Sequence, residues 1–261
     1  MALPLHPLVA GHYFSKYFLR LDIMHVIDLK GVIAIAAGSL IKRLMQTKRS
    51  LGRIEEERLT KINAQMKKWQ ADNGTQHIMP PLRKENLTKD NWACMGSKLV
   101  KAANSRALVP FLKHLADTHF PAHGSFASSI RKVFTHLDEI ERIFYGGGMF
   151  LTDNEKQELE SRFNSLGRHW QNLNILSFRE GKNEWQITPK VHMAVHAIAE
   201  QARLINPRAV QNYGEESMVG RMTKIWAAAA KGPYQRTAQQ MVLARYLVGL
   251  SIRLTSAHPN P

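Results

Sequence analysis

Three short clusters in this chain combine side chains used in metal and phosphate chemistry. The first is Leu21-Asp22-Ile23-Met24-His25. An Asp at the end of an apolar strand, with a His three residues later, can present a carboxylate at the rim of a sheet. The same Asp is also a good N-cap for a following helix, and a cap can still face a metal. The second is Pro189-Lys190-Val191-His192-Met193-Ala194-Val195-His196. Two His at i, i+4 share a helical face and can hold a transition metal. Glu200 follows one turn later, but the acid of the His-Glu-x-x-His arrangement is absent. Structural or DNA-facing histidines are the alternative. The third runs from Asn206-Pro207-Arg208 to Tyr213-Gly214-Glu215-Glu216-Ser217. Two adjacent carboxylates open a helix, where the macrodipole favours negative charge. A helix start can also aim a carboxylate at Mg²⁺. Arg221 and Lys224 follow on that helix, and Arg236, Arg245 and Arg253 on the next. Acids beside several cations suit phosphodiester chemistry, with metals on the acids and cations on the phosphates.

The elements that must position these clusters read as mostly helical. Lys16 to Leu21 is short, apolar and aromatic, and predicts a buried strand running into Asp22. From His25 to Met45 the apolar residues fall at helical spacing, with Gly31 and Gly38 as weak points. Ser50 is the expected N-cap of a second helix reaching Ala71, which Asn73-Gly74 ends. A polar connection covers 75–96. Helical patterns resume over 97–118, with a break expected before Pro110, and over 125–145, ending at Gly146-Gly147-Gly148. Thr152 and Glu155 form a capping box for a helix to about Ser177. Glu184 to Ile187 predicts a short strand. Thr188-Pro189 opens a helix to about Leu204, Asn206-Pro207 makes a turn, and two more helices are expected over 215–230 and 235–255. No internal repeat is visible.

The chain has 261 residues, 44% hydrophobic and 22% charged, a globular composition that excludes a disordered chain. Its single cysteine, Cys94, excludes an intramolecular disulfide and a multi-thiolate zinc site, and is expected to be a buried inert thiol. A reducing, intracellular setting follows. The longest apolar run, Gly31 to Ile41, is far shorter than the roughly 20 residues that span a bilayer, so no membrane partner is expected. The five tryptophans sit in apolar patterns and read as core. Gly146-Gly147-Gly148 lacks the Lys-Ser/Thr of a phosphate loop.

The net charge is +15, which points to an anionic partner, nucleic acid first. Residues 1–74 carry 12 basic and 6 acidic side chains, and residues 201–261 carry 8 and 2. The basic ends therefore supply the candidate DNA-binding residues: Lys42, Arg43, Lys48, Arg49, Arg208, Arg221, Lys224, Arg236 and Arg245.

Taken together, the three clusters resemble the C-terminal part of eukaryotic DDE/D-type cut-and-paste transposases of the CACTA and Kyakuja-Dileera-Zisupton groups. The resemblance implies a mainly α chain with a partial ribonuclease-H-like core of few short strands. Residues 1–48 would supply a strand and helix of that core, 49–183 a large helical insertion, and 184–261 the returning helices. It implies Asp22, Glu215 and Glu216 as catalytic acids and Asp22, Glu215 and His25 as ligands of Mg²⁺ or Mn²⁺, with His192 and His196 behind them. It implies DNA as partner and the nucleus as compartment. The family's first acid lies upstream of the second, and no acid precedes Asp22 in this sequence. The chain thus resembles a fragment, a degenerate copy or a domesticated remnant, inactive in cleavage. Two other readings compete: a non-catalytic basic helical nucleic-acid-binding module, and a helical protein-interaction domain whose charge serves solubility.

Overall fold

The computed structural model describes residues 21–29, 31–74, 80–89, 91–96 and 102–211. The chain divides into two units, Met1–Gln211 and Asn212–Pro261, and all described residues belong to the first. The strand expected over 16–21 and the helices expected over 215–230 and 235–255 lie outside them, apart from Leu21, which is not in a strand.

The described unit is mainly α. Its central element is α1, Val32–Thr47, in which every residue from Val32 to Met45 except Lys42 is buried. A helix apolar on all sides can only be stable inside a core. Around it stand α2 (Glu55–Asp72), α3 (Ala102–His119) and α6 (Pro189–His196). The helices α4 (Ser125–Gly146) and α5 (Asp153–Arg179) form a long antiparallel hairpin beside α3. One apolar cluster runs without interruption from Ile23 to Ala202, so the core crosses both the 48/49 and the 183/184 positions. The helical stretch Met24–Thr47 is by length and composition apolar enough to cross a membrane, longer than the run legible from residues 31–41, and 88% of its apolar window is buried inside the unit.

Several local expectations fail for identifiable reasons. The helix expected from His25 is two elements: a π turn, Met24–Asp28, and then α1. Gly31 allows the break, since a Cβ there would lie 1.9 Å from the carbonyl oxygen of Val26. Gly38 stays inside α1 because the backbone of Cys94 passes where its Cβ would be, at 2.6 Å. Ser50 is not an N-cap: a 3₁₀ turn, Arg49–Leu51, precedes α2, which starts at Glu55. Three glutamates fill its first turn, where the helix dipole favours them. No break precedes Pro110. Burial of Val109, Phe111 and Leu112 outweighs the proline's cost of about 3 kcal/mol.

The strand expected over 184–187 is absent. The only sheet among the described residues is a two-residue hairpin, β1 (Thr88–Lys89) and β2 (Trp92–Ala93). Residues 184–188 instead form a strap driven into the core. Trp185 is fully buried with φ 56°, a conformation rare for a bulky residue. Its N–H donates to Ser39 Oγ at 2.9 Å and its carbonyl accepts from Asn174 Nδ2 at 3.1 Å. Trp170 and Phe134 meet its ring edge-on. Cys94 is buried, as expected.

The α4–α5 hairpin is the most locally encoded part. Its expected capping box is present, with Glu155 N–H donating to Thr152 Oγ1 and Thr152 N–H donating to Glu155 Oε2 at 2.7 Å. Between the two helices His136 and His169 stack, ring centroids 6.0 Å apart. His136 faces Glu139, and Ser129 and His169 are 3.3 Å apart. Burial holds both imidazoles below the ordinary histidine value, and the nearby charges of Lys132, Arg162 and Arg168 act the same way.

Candidate functional site

Asp22 precedes the π turn as expected for a cap. Its Oδ1 accepts from Met24 N–H at 3.1 Å, and its carbonyl accepts from His25 and Val26 N–H. Its Oδ2 lies 2.5 Å from His25 Nδ1. The spacing of three residues thus yields an Asp–His pair, with the imidazole 41% exposed and the carboxylate 15%.

The second cluster packs on this turn. Lys190, in the first turn of α6, donates from Nζ to the carbonyls of His25 at 2.7 Å and Leu29 at 2.8 Å. Those carbonyls close the C-terminal end of the π turn, where a cation is favoured. After α6 the helix continues through a second π turn, Ala197–Gln201, and a last α turn, α7, Ala202–Leu204. Gln201 pairs with the backbone of Leu21 in both directions. Its Oε1 accepts from Leu21 N–H at 2.8 Å, and its Nε2 donates to Leu21 O at 3.1 Å. Four hydrogen bonds across 161 to 180 residues of sequence therefore join the first cluster to the second. Both partner segments contain a π turn, a form enriched at functional sites.

His192 and His196 do not reach Asp22 or His25 through any such bond. They are exposed on the outer face of α6, with their Nε2 atoms 3.2 Å apart and Glu200 Oε1 3.0 Å from His196 Nδ1. Among the described residues no three His, Cys, Asp or Glu side chains gather to hold a metal. Mg²⁺ and Mn²⁺ need several oxygen donors. The described turn holds two carboxylates: Asp22, with both oxygens already engaged, and Asp28, which is buried. The other expected acids, Glu215 and Glu216, lie outside the described residues.

The third cluster divides. Its first half is a structural plug. Asn206 N–H donates to Met149 O, and Asn206 Nδ2 donates to Phe144 O and Gly148 O, both at 2.9 Å. Arg208 donates to Tyr145 O at 2.7 Å and lies over the Tyr145 ring. Together they satisfy the last carbonyls of α4. Its second half lies outside the described residues, as do Arg221, Lys224, Arg236 and Arg245.

The expected DNA-facing cations also differ among themselves. Arg49 is exposed, Lys42 half-buried, and Lys48 half-buried over the Phe120 ring. Arg43 is not a surface cation. It is buried, and its guanidinium meets Glu184 at 2.6 Å, Glu180 at 2.5 Å and Ser177 Oγ at 3.3 Å, with Phe126 stacked on it. Its charge is spent on two carboxylates and is not available to a phosphate. Burial pushes the Glu184 carboxyl up, against the pull of Arg43, while the Arg43 hydrogen bond holds Glu180 down. Arg208 is half-buried and meets no carboxylate among the described residues; its partners are the Tyr145 carbonyl and ring.

Sequence reasoning gave no role to Lys190, Gln201 or Glu184, and to Asn206 only a turn. Lys190 had a local signal, a cation inside a quoted cluster at a helix start. Asn206 had one too, as the turn residue of the third cluster, and its Oδ1 accepts from Arg208 N–H; Gln201 and Glu184 had none, since each acts on backbone or charge far away in sequence. No protein-family model matches the chain, and neither a curated protein nor a solved structure matches it.

Proposed function

We propose that the chain is a transposable-element-derived, nuclear DNA-binding protein, the remnant of a metal-dependent DDE/D transposase that cut and rejoined DNA. In this reading residues 1–48 and 184–261 are what is left of a ribonuclease-H-like core and 49–183 its helical insertion. The observation that carries it is the docking of the Asp22–His25 turn against the Lys190–Gln201 helix. Two of the three segments behind the resemblance are thereby neighbours despite their separation in sequence. In an intact relative, Asp22 with Glu215 or Glu216 would hold Mg²⁺ or Mn²⁺, which activates a water or a 3′-hydroxyl. Here Lys190 and Gln201 hold the backbone on either side of Asp22, and His25 fixes the direction of its carboxylate. This reading expects the chain to bind duplex DNA.

The test is duplex DNA binding measured by fluorescence anisotropy over a series of salt concentrations. Neutralising about six phosphates predicts a slope of log affinity on log salt near −5. Arg49→Ala should reduce that slope by about 1. Undetectable binding at about 50 mM salt would sink the proposal and favour a helical protein-interaction domain.

A further inference from the structure

The outer face of α6 carries a feature that the Asp22 turn does not use. His192 and His196 present their Nε2 atoms to each other at 3.2 Å, with ring planes at 85° and centroids 4.8 Å apart. Two ring nitrogens bound at 2.0–2.1 Å to one ion would stand about 3.3 Å apart at a tetrahedral angle, and about 2.9 Å apart at a right angle. The observed separation falls between the two. Glu200 supplies the remaining element. Its Oε1 sits 3.0 Å from His196 Nδ1; with the proton on that nitrogen, Nε2 keeps its lone pair for an ion. A carboxylate behind a metal-bound imidazole is the common way of fixing tautomer and ring direction. The π turn Ala197–Gln201 sets where Glu200 projects, because it begins directly after His196.

We infer that His192 and His196 form a surface site for a borderline divalent transition-metal ion, of the Zn²⁺ or Cu²⁺ class, with Glu200 orienting His196. Imidazole pairs select such ions over Mg²⁺, which prefers hard oxygen donors. With two protein ligands, the remaining coordination positions belong to water or to a group from another molecule. All three side chains are exposed, so an ion reaches them without any rearrangement of the core. This site would exist whether or not the chain descends from a transposase.

The test is calorimetric titration of the full chain with Zn²⁺, in parallel with His192→Ala, His196→Ala and Glu200→Gln. The wild type should bind one equivalent more than either His variant. Glu200→Gln should keep that equivalent but bind it at least tenfold more weakly. Mg²⁺ should not compete for it. Because the three side chains are exposed, metal-free circular dichroism and Tm should be unchanged. If a variant nevertheless fails to fold, Zn²⁺-induced shifts of the His192 and His196 ring nitrogens in the wild type decide the same question. Identical Zn²⁺ stoichiometry and affinity in the wild type and both His variants would overturn the inference. So would unshifted ring nitrogens, or equal competition by Mg²⁺.

Discussion

The α4–α5 hairpin and the junction around Asp22 are built on opposite principles. The hairpin closes on residues near one another in the chain: an apolar stripe, the Thr152–Glu155 box, and a histidine pair 33 positions apart. The junction closes on polar bonds between segments 161 to 180 residues apart, through Lys190 and Gln201. Apolar stripes tolerate imprecision, whereas a buried charge must meet its partner or incur desolvation. Damage in the hairpin should therefore act on overall stability. Damage in the junction should act on the geometry of one place.

Arg43, which belongs to neither region and ties α1 to the strap and to the end of α5, gives the largest expected effect. Arg43→Ala strands Glu184, whose side chain is 0% exposed, and should destabilise the unit by about 3–5 kcal/mol in chemical denaturation. Replacing both partners, Arg43→Met with Glu184→Leu, should recover most of that loss. If the double variant is as unstable as the single, charge pairing is not what holds the strap.

Lys190 comes next. Lys190→Met removes a charged donor from two carbonyls, an interaction of about 1.5–3 kcal/mol. The amide of Leu29, which bonds to Met24 O at 2.6 Å, should exchange roughly ten- to a hundredfold faster. Amides of α4 and α5 should keep their wild-type rates. Uniform acceleration across the unit would erase the distinction between the two regions.

The smallest effect is on the hairpin and depends on pH. His136 and His169 are held below the ordinary value of 6.5, so the unfolded chain takes up protons first as the pH drops. Their contribution is complete above about 6.5 and is lost as the pH falls through the lowered values. Tm should therefore decline between pH 7 and 5, and less steeply in the His136→Gln/His169→Gln double variant. An equal decline in both proteins would remove the histidines from the explanation.

The same contrast explains what could be read from the sequence. The helices α4 and α5 and their capping box follow from periodicity and local side chains, as do α6 and its continuation to Leu204. The mainly α class follows from the same signals. The β1–β2 hairpin, the break at Gly31 and the strap at 184–188 do not. Glu184 to Ile187 is apolar and aromatic enough for a strand, yet Arg43 and Ser39 hold it as a strap from more than 140 positions away. At the candidate site, the Asp22–His25 pair was legible because its partners are three residues apart. The commitment of Arg43 was not, since basic residues look alike until their neighbours are known.

The most direct test of the transposase reading is a crystal structure of the full chain grown with Mn²⁺, read by anomalous scattering. The account predicts a Mn²⁺ peak within about 2.0–2.6 Å of a carboxylate oxygen of Asp22. Crystals that hold Mn²⁺ elsewhere and none within that distance of Asp22 would contradict it.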